Sequence, residues 1–419
     1  MKKNGLAVII LAAGKGKRMK SQTSKVLHPV CGRPMIGYVL DLAKALRPEK
    51  TIVVLGHKHD EVRKVLPAWV NIVIQKQLKG TADAVRLALS RLNNFRGTVL
   101  ILYGDVPLLT AASLKKLLKR HSGNAAAATL LTAGVSKPFG YGRILRDGYS
   151  CISGIVEEKD ADEYQKETRE INTGIICFDK ALLAAALKRV RPDNRKKEYY
   201  LTDAIAIFYK AGQLISGVSL EDSNEALGIN SRQDLAKANL IMRNRINAEV
   251  MARAVTIIDP DVTYINYGTQ IGHDSVIYPF TVIERDVKIG KSCVIGPFAH
   301  LREGTRLGNG VTAGNFLEVV RSTIGSKTLL KHFSYIGDSK VGRQVNIGAG
   351  TVTANFDGKN KNLTVIGDSA FIGSDTVLVA PAKIGKAAKT GAGSVVVRNT
   401  VVAAGSVVAG VPAKPLKRK

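Results

Sequence analysis

Large rings are scarce in this sequence: there is one Trp in 419 residues, and aromatic residues of all kinds reach only 5%. With hydrophobic residues at 45%, the core must be built from small and β-branched side chains. Cysteine is equally thin. Cys31, Cys151, Cys177 and Cys293 are too scattered for a disulfide scaffold or a zinc-ligand spacing, which fits a reducing compartment. No apolar run approaches the ~20 residues that a membrane span requires. The opening Met1-Lys2-Lys3, followed by an apolar stretch over 6–13, has the outline of an export signal. It runs into Gly14-Lys15-Gly16-Lys17-Arg18 with no cleavage site, so the expected location is the cytoplasm. Acidic residues are also in short supply, 34 against 62 basic, for a net charge of +28. That excess admits an anionic partner such as a phosphorylated metabolite. The cations are spread along the chain, with one dense cluster at Lys414, Lys417, Arg418 and Lys419. No aromatic-studded motif accompanies them, so no specific nucleic-acid partner is expected.

What is present falls into two periodicities. Continuous apolar runs at 6–11, 51–55, 70–74 and 98–102 alternate with helix-like segments at 35–46, 82–92 and 111–119. Strands buried on both faces read this way, and the order predicts a doubly wound, Rossmann-like α/β domain with its ligand beyond the strands' carboxyl ends. From 229 to 259 there is no Gly or Pro, and the composition predicts one connecting helix. Beyond it, Ile271-Gly272, Ile289-Gly290 and Leu307-Gly308 recur at intervals of 18, and Ile366, Ile372, Leu378 and Ile384 at intervals of six. This is the pattern of a left-handed parallel β-helix of hexapeptide repeats, with three aliphatics per triangular coil. Slips of phase near Ile324 and Val341, and the polar stretch 355–362, predict loops leaving the helix. The expected division is 1–228 for the α/β domain, 229–253 for the linker helix and 254–419 for the β-helix with its basic tail.

Three local features carry chemistry. Leu11-Ala12-Ala13-Gly14-Lys15-Gly16-Lys17-Arg18-Met19 is a strand running into a glycine-rich turn, whose exposed N–H groups suit a phosphate, with Arg18 and Lys25 close behind. It is neither a complete dinucleotide fingerprint nor a P-loop, and a plain structural turn is the other reading. Asp105 ends a strand, placed either to hold Mg²⁺ or merely to cap the next turn. His332, in Lys331-His332-Phe333-Ser334-Tyr335-Ile336-Gly337-Asp338, is one of only seven His; taken alone, such a residue is more often structural than catalytic.

Further segments sharpen the picture: Gln75 with Gly80-Thr81, Gly140-Tyr141-Gly142-Arg143, Val156-Glu157-Glu158-Lys159, Glu170-Ile171-Asn172-Thr173-Gly174, Tyr199-Tyr200-Leu201-Thr202-Asp203 and Gly228-Ile229-Asn230. Together these resemble the bacterial sugar-1-phosphate nucleotidyltransferases. Joined to a hexapeptide β-helix, the whole chain resembles the bifunctional N-acetylglucosamine-1-phosphate uridyltransferase/glucosamine-1-phosphate acetyltransferase family.

That resemblance implies acetyl transfer from acetyl-CoA to glucosamine-1-phosphate, then Mg²⁺-dependent uridylyl transfer from UTP to N-acetylglucosamine-1-phosphate with release of pyrophosphate. It implies that Leu11, Ala12, Ala13, Gly14, Gln75, Gly80 and Thr81 hold the nucleotide, that Arg18 and Lys25 neutralise its phosphates, and that Asp105 and Asn230 bind Mg²⁺. Tyr103, Gly140, Glu157 and Asn172 would line its sugar pocket. In the β-helix, His332 would act as general base, since only a free amine attacks a thioester and an imidazole titrates near neutrality. Arg302, Tyr335, Asn346, Asn355 and Lys361 would contact the amino-sugar phosphate, and Ala349, Ser374 and Ala392 the acetyl-CoA. A homotrimer with grooves between subunits is implied as well. The chain departs from the family pattern at Lys17, Asp83, Val320 and Phe356. Of these, Val320 removes a cation expected on phosphate, and Arg321 beside it is not automatically a substitute, because strand neighbours face opposite ways. The alternative is a monofunctional uridyltransferase whose β-helix only assembles it or acetylates another amino sugar.

Overall fold

The computed structural model describes residues 5–416, so Lys417, Arg418 and Lys419 of the basic tail lie outside the described residues. Contacts divide the chain into two compact units, Met1–Ile241 and Met242–Lys419. The connecting helix expected over 229–253 runs Arg232–Met251. Its start is fixed by Asp234, whose carboxylate accepts hydrogen bonds from the backbone N–H of Asn230 (2.9 Å) and Ser231 (2.8 Å).

The first unit is built on one sheet. Along it lie Ile215–Ser219, Ala128–Gly134, Glu170–Asp179, Gly97–Tyr103, Gly5–Ala12, Lys50–Leu55 and Asn71–Ile74. Gly5–Ala12 pairs in parallel with both Lys50–Leu55 and Gly97–Tyr103. Its unbroken apolar run has a direct cause: Ala7, Ile9 and Leu11 enter the core on one face, while Val8, Ile10 and Ala12 enter the core on the other. One strand breaks the parallel order. Glu170–Asp179 runs antiparallel to both neighbours, and its register shifts between Asn172 and Ile176, where Gly174 takes φ 82°. Such a bulge re-aims the side chains beside it, here Asn172.

The second unit is a parallel β-helix of three sheets, its strands pairing with their equivalents one coil on, except that Lys414–Pro415 folds back antiparallel on Val407–Ala409. Inward positions stack as Ile265, Ile283, Leu301, Val319 and Ile336 on the second sheet, all fully buried. The two phase slips and the polar stretch have a common location. Five residues, not six, separate Val319 from Ile324 and Ile336 from Val341, and 13 separate Thr353 from Ile366. All three irregular segments fall on the same corner, between the second and third sheets, in three successive coils.

Candidate functional sites

In the first unit a cavity of about 630 Å³ opens beyond the carboxyl ends of Gly5–Ala12 and Gly97–Tyr103. Leu11, Ala12, Ala13, Gly14, Gln75, Gly80 and Thr81 all line it, together with Lys25, Tyr103, Asp105 and Asn230. A Cβ added to Gly14 would meet nothing within 4 Å, so the turn leaves open space for a ligand. Gly80 is at φ 115°, and a Cβ there would strike the Tyr199 backbone nitrogen at 2.7 Å and its carbonyl oxygen closer still. Only glycine lets these two segments meet. Lys15, Lys17, Lys196 and Glu198 also line the cavity. The last two precede the Tyr199 motif, and no spacing signal in the sequence marks them. Arg18 does not line it; it is exposed on the short turn Lys17–Met19.

At the cavity floor the Lys25 ammonium is hydrogen-bonded to Asp105 Oδ2 and, at 3.1 Å, to Asn230 Oδ1. Two oxygens from distant segments thus converge on one cation. That donor set suits a hard metal ion, which takes few protein oxygens and completes its shell with water and phosphate. Tyr103 connects this floor to the remaining predicted sugar residues. Its ring covers Gly174, and burial, with the charges of Glu157 and Asp105, drives its hydroxyl well above the usual phenol range. Glu157 and Asn172 both approach Gly142, where an added Cβ would lie 3.6 Å from each. Burial raises the Glu157 carboxyl, while the Thr202 hydroxyl, donating at 3.2 Å, pulls it back. Gly140 stands apart on its loop, donating its N–H to Glu158 at 3.0 Å.

In the second unit the predicted acetyl-transfer residues fall on different sides of the prism. His332, Ala349, Ser374 and Ala392 occupy equivalent positions on the corner between the first and second sheets, two residues after Leu330, Ile347, Ile372 and Thr390. His332 is exposed. Arg302 and Tyr335 project from the second sheet, and Arg302 donates to Glu318 at 2.8 Å. Asn355 and Lys361 belong to the irregular corner, where the Asn355 amide donates to Asp338. Asn346 lies on the first sheet.

The family models match in two places: a MobA-like NTP transferase domain over residues 8–168, and the bacterial transferase hexapeptide (six repeats) over 268–303. Among curated relatives, the bifunctional protein GlmU of Shouchella clausii is 42% identical over 94% of this chain and 94% of its own. That of Syntrophotalea carbinolica is 44% identical over 95% and 93%, and that of Geobacillus thermodenitrificans 44% over 93% and 92%. The chain belongs to the GlmU family. It is a bifunctional transferase of UDP-N-acetylglucosamine synthesis, and nothing in these likenesses favours the monofunctional alternative. The four positions expected to depart from the family pattern have distinct structural settings. Lys17 faces the nucleotide cavity. Phe356 is 61% exposed and bridges to Lys361 across the irregular loop. Val320 is buried beside Gly337. Arg321 turns outward at φ 47° and donates from Nε and Nη2 to Asp338 at 2.6 and 2.7 Å, so its charge is already engaged. Asp83 receives a hydrogen bond from Gln75 at 2.8 Å.

Proposed function

We propose that the two reactions run at these two sites: uridylyl transfer in the domain 1–228, completed by Asn230 from the start of the linker 229–253, and acetyl transfer within 254–419. In the first, a phosphate oxygen of N-acetylglucosamine-1-phosphate attacks the α-phosphorus of UTP, and pyrophosphate departs in line. The protein's part is positioning and charge neutralisation. The Gly14 turn and Lys25 would meet the phosphates, with Arg18 reaching in from the exposed turn. Tyr103, Gly140, Glu157 and Asn172 would hold the sugar, and Asp105 and Asn230 would hold Mg²⁺. When bound, the metal supplies charge stabilisation on the phosphate oxygens. The observation that carries this reading is the convergence of Asp105 and Asn230 on a single cation at the cavity floor.

In the second reaction His332 takes a proton from the amino group of glucosamine-1-phosphate. The freed amine attacks the acetyl carbonyl of acetyl-CoA, and the C–S bond breaks to release the CoA thiolate, which is then protonated. Arg302, Tyr335, Asn346, Asn355 and Lys361 would hold the sugar phosphate, and Ala349, Ser374 and Ala392 the acetyl-CoA. These residues sit on diverging faces, which supports a homotrimer with each site shared between chains. No described helix is long and apolar enough to cross a membrane, and the proposed substrates support a cytoplasmic location.

One preparation tests the assignments. Pyrophosphate release and thiol release are measured for the native chain, Asp105→Asn and His332→Ala. At a Mg²⁺ concentration that just saturates the native chain, Asp105→Asn should lose most of the first alone, and His332→Ala should abolish the second alone; a variant that keeps its own reaction intact sinks that assignment. A native chain that forms pyrophosphate but releases no thiol would reduce the β-helix to an assembly element.

A further inference from the structure

The amide of Gln75 is held in one orientation. Gln75 is 4% exposed in the wall of the nucleotide cavity. Its Nε2 donates to the Gly80 carbonyl oxygen at 3.1 Å and to Asp83 Oδ2 at 2.8 Å. Both partners are acceptors only, so a flipped amide would set its oxygen against two other oxygens and lose both bonds. Asp83 lies in the first turn of the helix Thr81–Leu89, where the positive end of the helix dipole favours its negative charge. With both Nε2 hydrogens committed, the group Gln75 has left for a ligand is the carbonyl oxygen Oε1, an acceptor.

We propose that Asp83 is a positioning residue for nucleobase choice: by fixing the Gln75 amide it presents an acceptor to the base, and so selects a pyrimidine whose ring N3 carries a proton. Uracil has that N–H. Cytosine has a bare N3 lone pair, which would face Oε1 repulsively. The selectivity is therefore set by a residue that does not itself touch the base. This deepens the uridylyl-transfer reading and rests on it for the identity of the cavity.

The test is the ratio of kcat/KM for UTP over CTP, with N-acetylglucosamine-1-phosphate as acceptor, in the native enzyme, Asp83→Asn and Asp83→Ala. An Asn can donate as well as accept, and an Ala does neither, so in both variants the Gly80 carbonyl is the one acceptor-only partner left to orient the amide. The ratio should fall roughly tenfold, the worth of one well-placed hydrogen bond and its mismatch. The loss should appear in KM for UTP and as a gain for CTP, with KM for the sugar phosphate unmoved. A merely structural Asp83 would weaken both nucleotides together and leave the ratio intact, and that result overturns the proposal. Calorimetric Kd values for UTP and CTP on the same three proteins give the ratio independently of turnover. A native chain that binds UTP selectively but releases no pyrophosphate would sink the uridylyl-transfer reading while still deciding this one.

Discussion

At the scale of single residues, the floor of the cavity and the carboxylate cluster around Glu157 respond to different variables. The floor responds to metal. Asp105→Asn keeps the shape but removes the one formal negative charge that the Asp105–Asn230 pair offers a divalent cation, so half-maximal pyrophosphate release should need at least roughly tenfold more Mg²⁺. Thiol release in the same preparation should be unchanged. The carboxylate cluster responds to protons. Burial, then the nearby Glu157, Asp160 and Asp193 carboxylates, pushes Asp203 up to about 6 from an ordinary 3.8. An acid raised on folding is protonated in the folded chain while already ionised in the unfolded one. Stability therefore falls as pH rises from about 4 to about 6, and the unfavourable charge persists above that window. Asp203→Asn removes the effect: relative to the native chain its unfolding midpoint should rise between about pH 4 and 6, then stay higher. Midpoints that track each other across the range would show that the carboxylate is relieved by water.

At the scale of elements, the β-helix was the more legible half, because its repeat writes the same inward position into every coil. The spacing located the slips at Ile324 and Val341 from phase alone. It could not show that both, with the 355–362 loop, share one corner, since a corner is defined by three sheets closing on one another. The α/β half was read well where strands are buried on both faces, as at Gly5–Ala12. It was read poorly after residue 119, where Glu170–Asp179 reverses direction and Gly142–Arg146 pairs with Ile152–Val156 in a hairpin. Direction within a sheet leaves no periodic trace in the sequence. A second feature, spaced by the same 18 residues, is a ladder of rings on the corner that carries His332. Phe280, Phe298 and Phe316 all adopt left-handed backbone, with φ 58°, 54° and 51°. Their rings stack at 4.9 Å, with interplanar angles of 9° and 4°. Phe298 has a ring on each side and Phe280 on one. At about 0.5–1.5 kcal/mol per stacked pair, Phe298→Ala should cost about 1–3 kcal/mol in urea unfolding and Phe280→Ala about half as much. Equal losses would mean that the stacking adds nothing beyond burial.

At the scale of the whole molecule, the two proposed sites differ: the residues assigned to the nucleotide lie around one cavity, and those assigned to acetyl transfer lie on different faces of the β-helix. The outward normals of two faces of a triangular coil diverge. Asn346 on the first sheet and Lys361 on the corner between the second and third sheets therefore lie on different faces, an arrangement poorly suited to holding one small sugar phosphate together. If both serve the reaction, they do so from different subunits, which is why motif order along the sequence named the residues without giving the site. The consequence is complementation. Asn346→Ala and Lys361→Ala, each expressed alone, should lose most thiol release and keep pyrophosphate release. Co-expressed, they should regain activity, because about a quarter of the sites in a random cyclic mixture draw both native residues. Thiol release from the native enzyme should also fall on dilution below the assembly constant, while pyrophosphate release per chain stays constant. Co-expressed variants that stay as inactive as either alone would place Asn346 and Lys361 on the same side of every interface, and the shared-site reading would fall with them.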